Sequence, residues 1–303
     1  MRLANPIYDT VFKYLMEDTE IARLFLSRLI GEEITEIVVR PQEYSTKTKK
    51  HGVTVLRLDF KATIKLGTQE PKNKKDKKNW RAKYKTVLIE LQKAKHNKDI
   101  LRSRRYLGDN DRKKDDIMGA DGKMKKEELP IVTVFILGFP LPPIKTSALK
   151  INRVYTDLIT NEVLDVQTEF IEKLTHDCYA ILITELPQKE RSKLERILKI
   201  FNQTYILDSD NKFLEIEDKE LKGDKLLELM SGRLRYAATD EEVLQGIEIE
   251  QEIEETIDQH IREKEELKEK LMERDEKLKE RDEQLNEHRR LIEELKKQLK
   301  DKK

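Results

Sequence analysis

The end of the chain settles its organisation first. From Ile247 onward the residues are almost wholly charged groups and leucine, and ERDEKLK, ERDEQLN, EHRRLIE and ELKKQLK (Glu273–Lys300) are four consecutive seven-residue units. Leu278, Leu285, Ile292 and Leu299 share one heptad position, with Leu271 one heptad earlier. Apolar residues repeated in this way wind helices around one another. The companion seam is poor, because Arg274, Arg281 and His288 occupy it and only Leu267 and Leu295 are apolar there. Two readings stand: a conditional coiled coil that pairs two copies as a homodimer, and a solitary solvated helix laced with i,i+4 ion pairs. Neither gives the tail catalytic chemistry, which must lie upstream.

Charged residues make up 40% of the 303, yet formal net charge is only +1. Distribution rather than bulk charge must therefore indicate partners. The single cysteine, Cys178, rules out an intramolecular disulfide and suits a reducing cytoplasm. The opening MRLANPIYDTVFKYLMED has no apolar region followed by a small-residue cleavage site, and no run approaches membrane-spanning length. A soluble cytoplasmic protein with no membrane partner is expected. The five histidines are scattered without ligand spacing, so zinc is not expected. No Gly-rich phosphate loop or serine-nucleophile elbow is present.

Apolar spacing from Asp9 to Ile30 predicts one or two amphipathic helices, broken near Asp18–Thr19 and stopped at Gly31. EITEIVVRPQEYS, VTVLRLDFKATIK, KTVLIELQK and PIVTVFILGFP read as strands, with two more at Leu149–Leu158 and Tyr179–Leu186. NKDILRSRRYLGD reads as a helix ending at Gly108, and Asp109–Glu128 as a mobile loop. Arg191–Phe201 and Lys219–Ala238 read as helices. This order predicts an α/β or α+β domain, with the α/β form, a central mixed sheet flanked by helices, as the expected one. The expected domains are 1–205, a helical extension 206–246, and the charged heptad helix 247–303.

KTVLIELQKAK poses the chemical question. Val87, Leu88, Ile89 and Leu91 read as a buried strand, yet Glu90 lies inside the run and Gln92 and Lys93 close it. A buried carboxylate needs a partner, and a hard divalent cation is among the strongest. Asp59, in LRLDFKATI, is a second carboxylate in apolar company. Neighbouring strands would bring Asp59 and Glu90 to one edge, where two carboxylates, a strand carbonyl and waters suit Mg²⁺. Period-2 alternation sets Glu90 and Gln92 on one face and Lys93 on the other, unless a bulge re-aims it.

An Asp in one strand followed by Glu-x-Gln or Glu-x-Lys ending the next resembles the core of the PD-(D/E)XK nuclease superfamily. NPIYDTVFKYLM is similar to the first helix of its bacterial transposase-related branch, which includes recombination-promoting nucleases. Asp9, Phe12 and Lys13 match that branch's Asp-x-x-Phe-Lys element, and Arg102, Arg104, Arg105 and Tyr106 match its basic helix. The resemblance covers roughly Asn5 to Tyr106 well and the next hundred residues loosely. It implies a restriction-endonuclease-like core and Mg²⁺-dependent cleavage of DNA phosphodiester bonds, with Mn²⁺ as a substitute, in the service of recombination or transposition. By resemblance Asp59 and Glu90 are metal ligands, Leu91 lends its carbonyl, and Asp9, Gln92 and Lys93 complete the catalytic set. The usual lysine position is Gln92 here, so either Lys93 or Lys61 supplies the cation or cleavage is slow; the resemblance implies that glutamine is accepted there. The alternative is a catalytically degenerate nucleic-acid-binding or coiled-coil scaffold protein.

Between the two acidic strands, Lys72–Lys85 carries eight Lys or Arg against one Asp. Lys74, Lys75, Lys77, Lys78 and Arg81 beside Trp80 suit phosphate contact with stacking. With Lys13, Arg102, Arg104 and Arg105 they form the expected DNA-binding set. A solubilising loop and a solvated helix face are the plain alternatives. No base-reading module is visible, so affinity should be largely electrostatic.

Overall fold

The computed structural model describes residues 1–40, 43–48, 52–57, 60–67, 83–93, 99–119, 122–207 and 211–300, with 43–48, 52–57, 99–102 and 293–300 as backbone only. The elements run β1 (Arg2–Ala4), α1 (Asp9–Glu17), α2 (Thr19–Ile30), β2 (Ile34–Val39), β3 (Glu43–Thr48), β4 (Gly52–Arg57), β5 (Phe60–Leu66) and β6 (Tyr84–Gln92). Next come α3 (Asp99–Asp111), β7 (Asp115–Met118), β8 (Met124–Glu127), β9 (Ile131–Leu137), β10 (Ala148–Ile151), β11 (Tyr155–Thr156), β12 (Val163–Leu164) and α4 (Glu169–Leu174). β13 (Asp177–Leu182), α5 (Lys193–Leu198), β14 (Phe213–Glu215), α6 (Asp218–Leu221), α7 (Lys225–Ala237) and α8 (Glu241–Lys300) complete the chain.

The first two helices form where the pattern asks for them. Asp18 separates them and caps α2, its carboxylate accepting from the Glu20 and Ile21 amides. Gly31 ends α2 in the left-handed region at φ 76°, which a residue without Cβ adopts at little cost. The central sheet is mixed, in the order β10-β13-β9-β6-β5-β2. β6 pairs parallel with β9 and antiparallel with β5, so it is covered on both edges. An α/β architecture with a six-stranded mixed sheet is the result.

Strand alternation gives the sheet two unlike faces. Val87, Ile89 and Leu91 on β6, with Val132, Val134 and Ile136 on β9, join the main core alongside α1, α2 and α7. Leu88 instead meets Tyr106 of α3 and Ile131 in a small separate cluster. β1 pairs with β14, and Leu226, Leu227, Met230 and Leu234 of α7 belong to the main core. The expected helical extension therefore shares that core. Two compact units result, Met1–Ile247 and Glu248–Lys303.

Several expected elements change. VTVLRLDFKATIK, read as one strand, contributes β4, paired with β3, and β5 in the central sheet. Asp109–Glu128, expected as a mobile loop, holds the end of α3 and the β7–β8 hairpin, turned by Gly122 at φ 75°. The hairpin carries little apolar periodicity because Ile117 is its one buried position. α3 continues through Gly108, and α8 begins at Glu241, ahead of the heptads. Among the described residues no helix is long and apolar enough to cross a membrane.

Candidate functional site

Glu90 sits on β6, the strand between β5 and β9, and is only 4% exposed. Its place in the alternation puts it on the α3 face with Leu88 and Gln92, between the apolar residues that anchor the other face. It lines a crevice with Leu88, Ser103, Tyr106, Thr133 and Phe135. Gln92, 8% exposed, reaches α3 through a long contact, Nε2 to Ser103 Oγ at 3.5 Å. The packing of Tyr106 on Leu88 and Ile131 holds α3 over this face.

Lys61 belongs to the same face, because it pairs with Leu88 across the β5–β6 ladder and directly opposed residues share a side. It is buried, and its Nζ lies 3.4 Å from Asp115 Oδ1 on β7. Thr86 Oγ1 donates to the other Asp115 oxygen at 2.5 Å. This carboxylate neutralises a cation that would otherwise be costly to bury. Lys113 is held below the usual lysine range, first by desolvation and then by repulsion from Lys61. The face thus gathers two carboxylates, a carboxamide and a pair of ammonium groups around one strand.

Lys93 takes the other side. Its Nζ lies 3.5 Å from the centroid of the Tyr8 ring, which is buried in the main core. The strand end is fixed by backbone: the Gly138 amide donates to the Gln92 carbonyl at 2.8 Å. A Cβ on Gly138 would lie 2.5 Å from the Lys93 carbonyl oxygen, so only glycine fits.

The N-terminal segment meets the end of the strand through the Tyr8–Lys93 contact. Asp9 and Lys13 face each other one helical turn apart, Nζ to Oδ2 at 2.5 Å, while Phe12 packs in the core near Phe201. Arg104 and Arg105 are exposed on α3. Asp59, Lys74, Lys75, Lys77, Lys78, Trp80 and Arg81 lie outside the described residues, as does the side chain of Arg102. Among the described residues no group of three or more His, Cys, Asp or Glu side chains could hold a metal ion. Glu90 and the Leu91 carbonyl offer hard oxygen donors of the kind Mg²⁺ takes, and Asp59 would have to supply a second carboxylate.

A second concavity went unmarked in the sequence. This cleft of about 740 Å³ is lined by residues at the start of β6, the end of β10 and the β11–β12 segment. Five of its charges pair with one another: Lys85 Nζ lies 2.8 Å from Glu32 and 3.9 Å from Asp177, and Arg153 bridges Asp177 and Glu172. Beside these charges, burial pushes Tyr179 up to about 12. These residues are dispersed along the sequence without periodicity or motif, so no signal marked them.

No protein-family model, no curated protein and no solved structure matches the chain.

Proposed function

We propose that the chain is a Mg²⁺-dependent DNA endonuclease of the transposase-related PD-(D/E)XK kind, with a restriction-endonuclease-like core. One observation carries the reading: Glu90 is buried in a central strand, on the face where Lys61 and Gln92 also lie. Acidic and basic side chains gathered at such depth cost stability, and functional sites are where chains bear that cost.

In this reading Glu90, the Leu91 carbonyl and Asp59 hold the cation. Asp59 enters by the motif alone, as the carboxylate that precedes β5 (Phe60–Leu66) in the sequence. Mg²⁺ bound there would polarise a phosphate oxygen and lower the pKa of water. Lys61 offsets charge that builds on the phosphate, and its Asp115 partner keeps the ammonium aimed. Gln92, tied to Ser103, orients rather than protonates. Hydrolysis forms one P–O bond from water and breaks the bond to a bridging oxygen, which departs with the electron pair and takes up a proton. Lys13, Lys74, Lys75, Lys77, Lys78, Trp80, Arg81, Arg102, Arg104 and Arg105 grip the backbone, so binding falls steeply with salt.

The position of Lys93 over Tyr8, across the sheet from Glu90, favours a second reading. In that reading the protein keeps the fold and the DNA grip without cleavage. Plasmid incubated with purified protein and Mg²⁺ separates the two. The first reading expects nicking or linearisation that disappears in Asp59→Ala and in Glu90→Ala. Equal cutting by both variants removes it. Binding without cutting in any divalent metal, unchanged in Glu90→Ala, establishes the second.

A further inference from the structure

We propose that α8 pairs with the same helix of a second copy of this chain, parallel and in register. Large aliphatic side chains recur along it in the open: Leu271 is 61% exposed, Leu278 56%, Leu285 55% and Ile292 51%. Among the described residues, no side chain of the unit Glu248–Lys303 belongs to a hydrophobic core cluster. A stripe of this kind on a polar helix is buried against another helix with the same period.

Charge identifies the occupant and its direction. Take Leu271, Leu278, Leu285, Ile292 and Leu299 as position a; Leu267, Arg274, Arg281, His288 and Leu295 then fall at d. In a parallel pair each g residue faces the partner's e residue five positions on, and these pairs set partner and orientation. Glu263 then meets Lys268, Lys270 meets Asp275, and Lys277 meets Asp282 of the second copy. Three consecutive pairs have opposite sign. The next two, Gln284 with Arg289 and Leu291 with Lys296, repel nothing.

The same assignment accounts for the arginines that spoil the second seam. In both ERDE units an arginine at d is followed by an aspartate at e. The hole that receives a d side chain in a parallel pair is rimmed by the partner's e position. Arg274 and Arg281 therefore have Asp275 and Asp282 of the second copy within reach. An antiparallel pair does the reverse, stacking leucine layers on arginine or histidine layers and e positions on one another. Within one helix Lys277 already holds Glu273 at 2.6 Å, and Lys270 holds Glu266 at 4.0 Å. Exposed pairs of this kind are weak, so exchanging them for interchain partners costs little.

The pairing is independent of the nuclease reading, and so is its test. Sedimentation equilibrium of the full-length protein should give twice the chain mass at low micromolar concentration. Asp275→Lys with Asp282→Lys should weaken association by about tenfold or more, which is about 1.4 kcal/mol. Adding Lys270→Glu and Lys277→Glu to the same chain should restore part of it, because the g–e pairs become attractive again while Arg274 and Arg281 still face lysine. Orientation is read in a Cys178→Ser background, where Leu271→Cys and Ile292→Cys should each form a disulfide-linked dimer on oxidation. An antiparallel pair can join at most one of those sites to itself. A monomer at every concentration, failure of the charge exchange to restore any pairing, or cross-linking at only one site overturns the proposal.

Discussion

Consecutive residues of β6 belong to two different environments. Val87, Ile89 and Leu91 enter the main core, whereas Thr86, Leu88, Glu90 and Gln92 face α3 and the β7 strand. The first set is interchangeable with any well-packed aliphatic layer. The second includes a carboxylate that, in the proposed function, is buried for what it holds. One strand therefore carries stability on odd positions and, in that reading, chemistry on even ones.

Substitutions on the two faces should break that division cleanly. The largest effect belongs to the even face: Glu90→Gln should lower plasmid cleavage by about 100-fold or more, the scale of losing one electrostatic element of a site. Its melting temperature should stay near that of the parent, because the isostere removes a buried charge and leaves the packing. Ile89→Ala on the odd face should do the opposite. It deletes a fully buried side chain and should cost about 2–5 kcal/mol, a fall of roughly 5–15 °C in Tm. A fall in Tm for Glu90→Gln as large as that for Ile89→Ala would show that Glu90 is structural and end the distinction.

Gly138 tests whether the two faces are joined at the strand end. Gly138→Ala drives a Cβ into the Lys93 carbonyl, which strains backbone and should cost about 1–3 kcal/mol. Gln92 and Lys93 move together in that response, so cleavage and Tm should fall in step. Gly232 is the control, since a Cβ there meets nothing within 4 Å and α7 is helical. Gly232→Ala should stabilise by about 0.5–1 kcal/mol and leave cleavage unchanged. Differential scanning fluorimetry with a nicking assay reads both.

Much of this frame was legible in the sequence, for physical reasons. The helix break at Asp18 and stop at Gly31 are local, set by a capping carboxylate and a left-handed turn. The β6 and β9 strands are marked by dense β-branched runs. The alternation of Glu90 and Gln92 against Lys93 follows from the pleat alone. The β7–β8 hairpin was not legible, because its role depends on Asp115 meeting Lys61 and Thr86, a contact between residues far apart in the chain. The same holds for the cleft around Lys85, Arg153 and Asp177, whose ion pairs join separate elements. Sequence shows which residues need partners. It does not show partners supplied from a distance.

The smallest expected effect probes the apolar face from within. Tyr179 lies in the main core, and its hydroxyl donates to the Ile30 carbonyl at 3.3 Å. Burial first, and then the nearby Asp177 charge, push it up to about 12. A raised folded-state value means that the folded chain keeps this proton when the unfolded chain has lost it. Its contribution to stability is therefore whole below the ordinary tyrosine value of about 10 and drains away as pH rises toward 12. Tyr179→Phe should cost about 0.5–1.5 kcal/mol at neutral pH, the net worth of one hydrogen bond, and should flatten the alkaline fall in stability. Urea unfolding at pH 8 and pH 11 measures both. An alkaline limb of equal steepness in the variant would place the titrating group elsewhere, and the polar atom on the apolar face would then be a matter of packing alone.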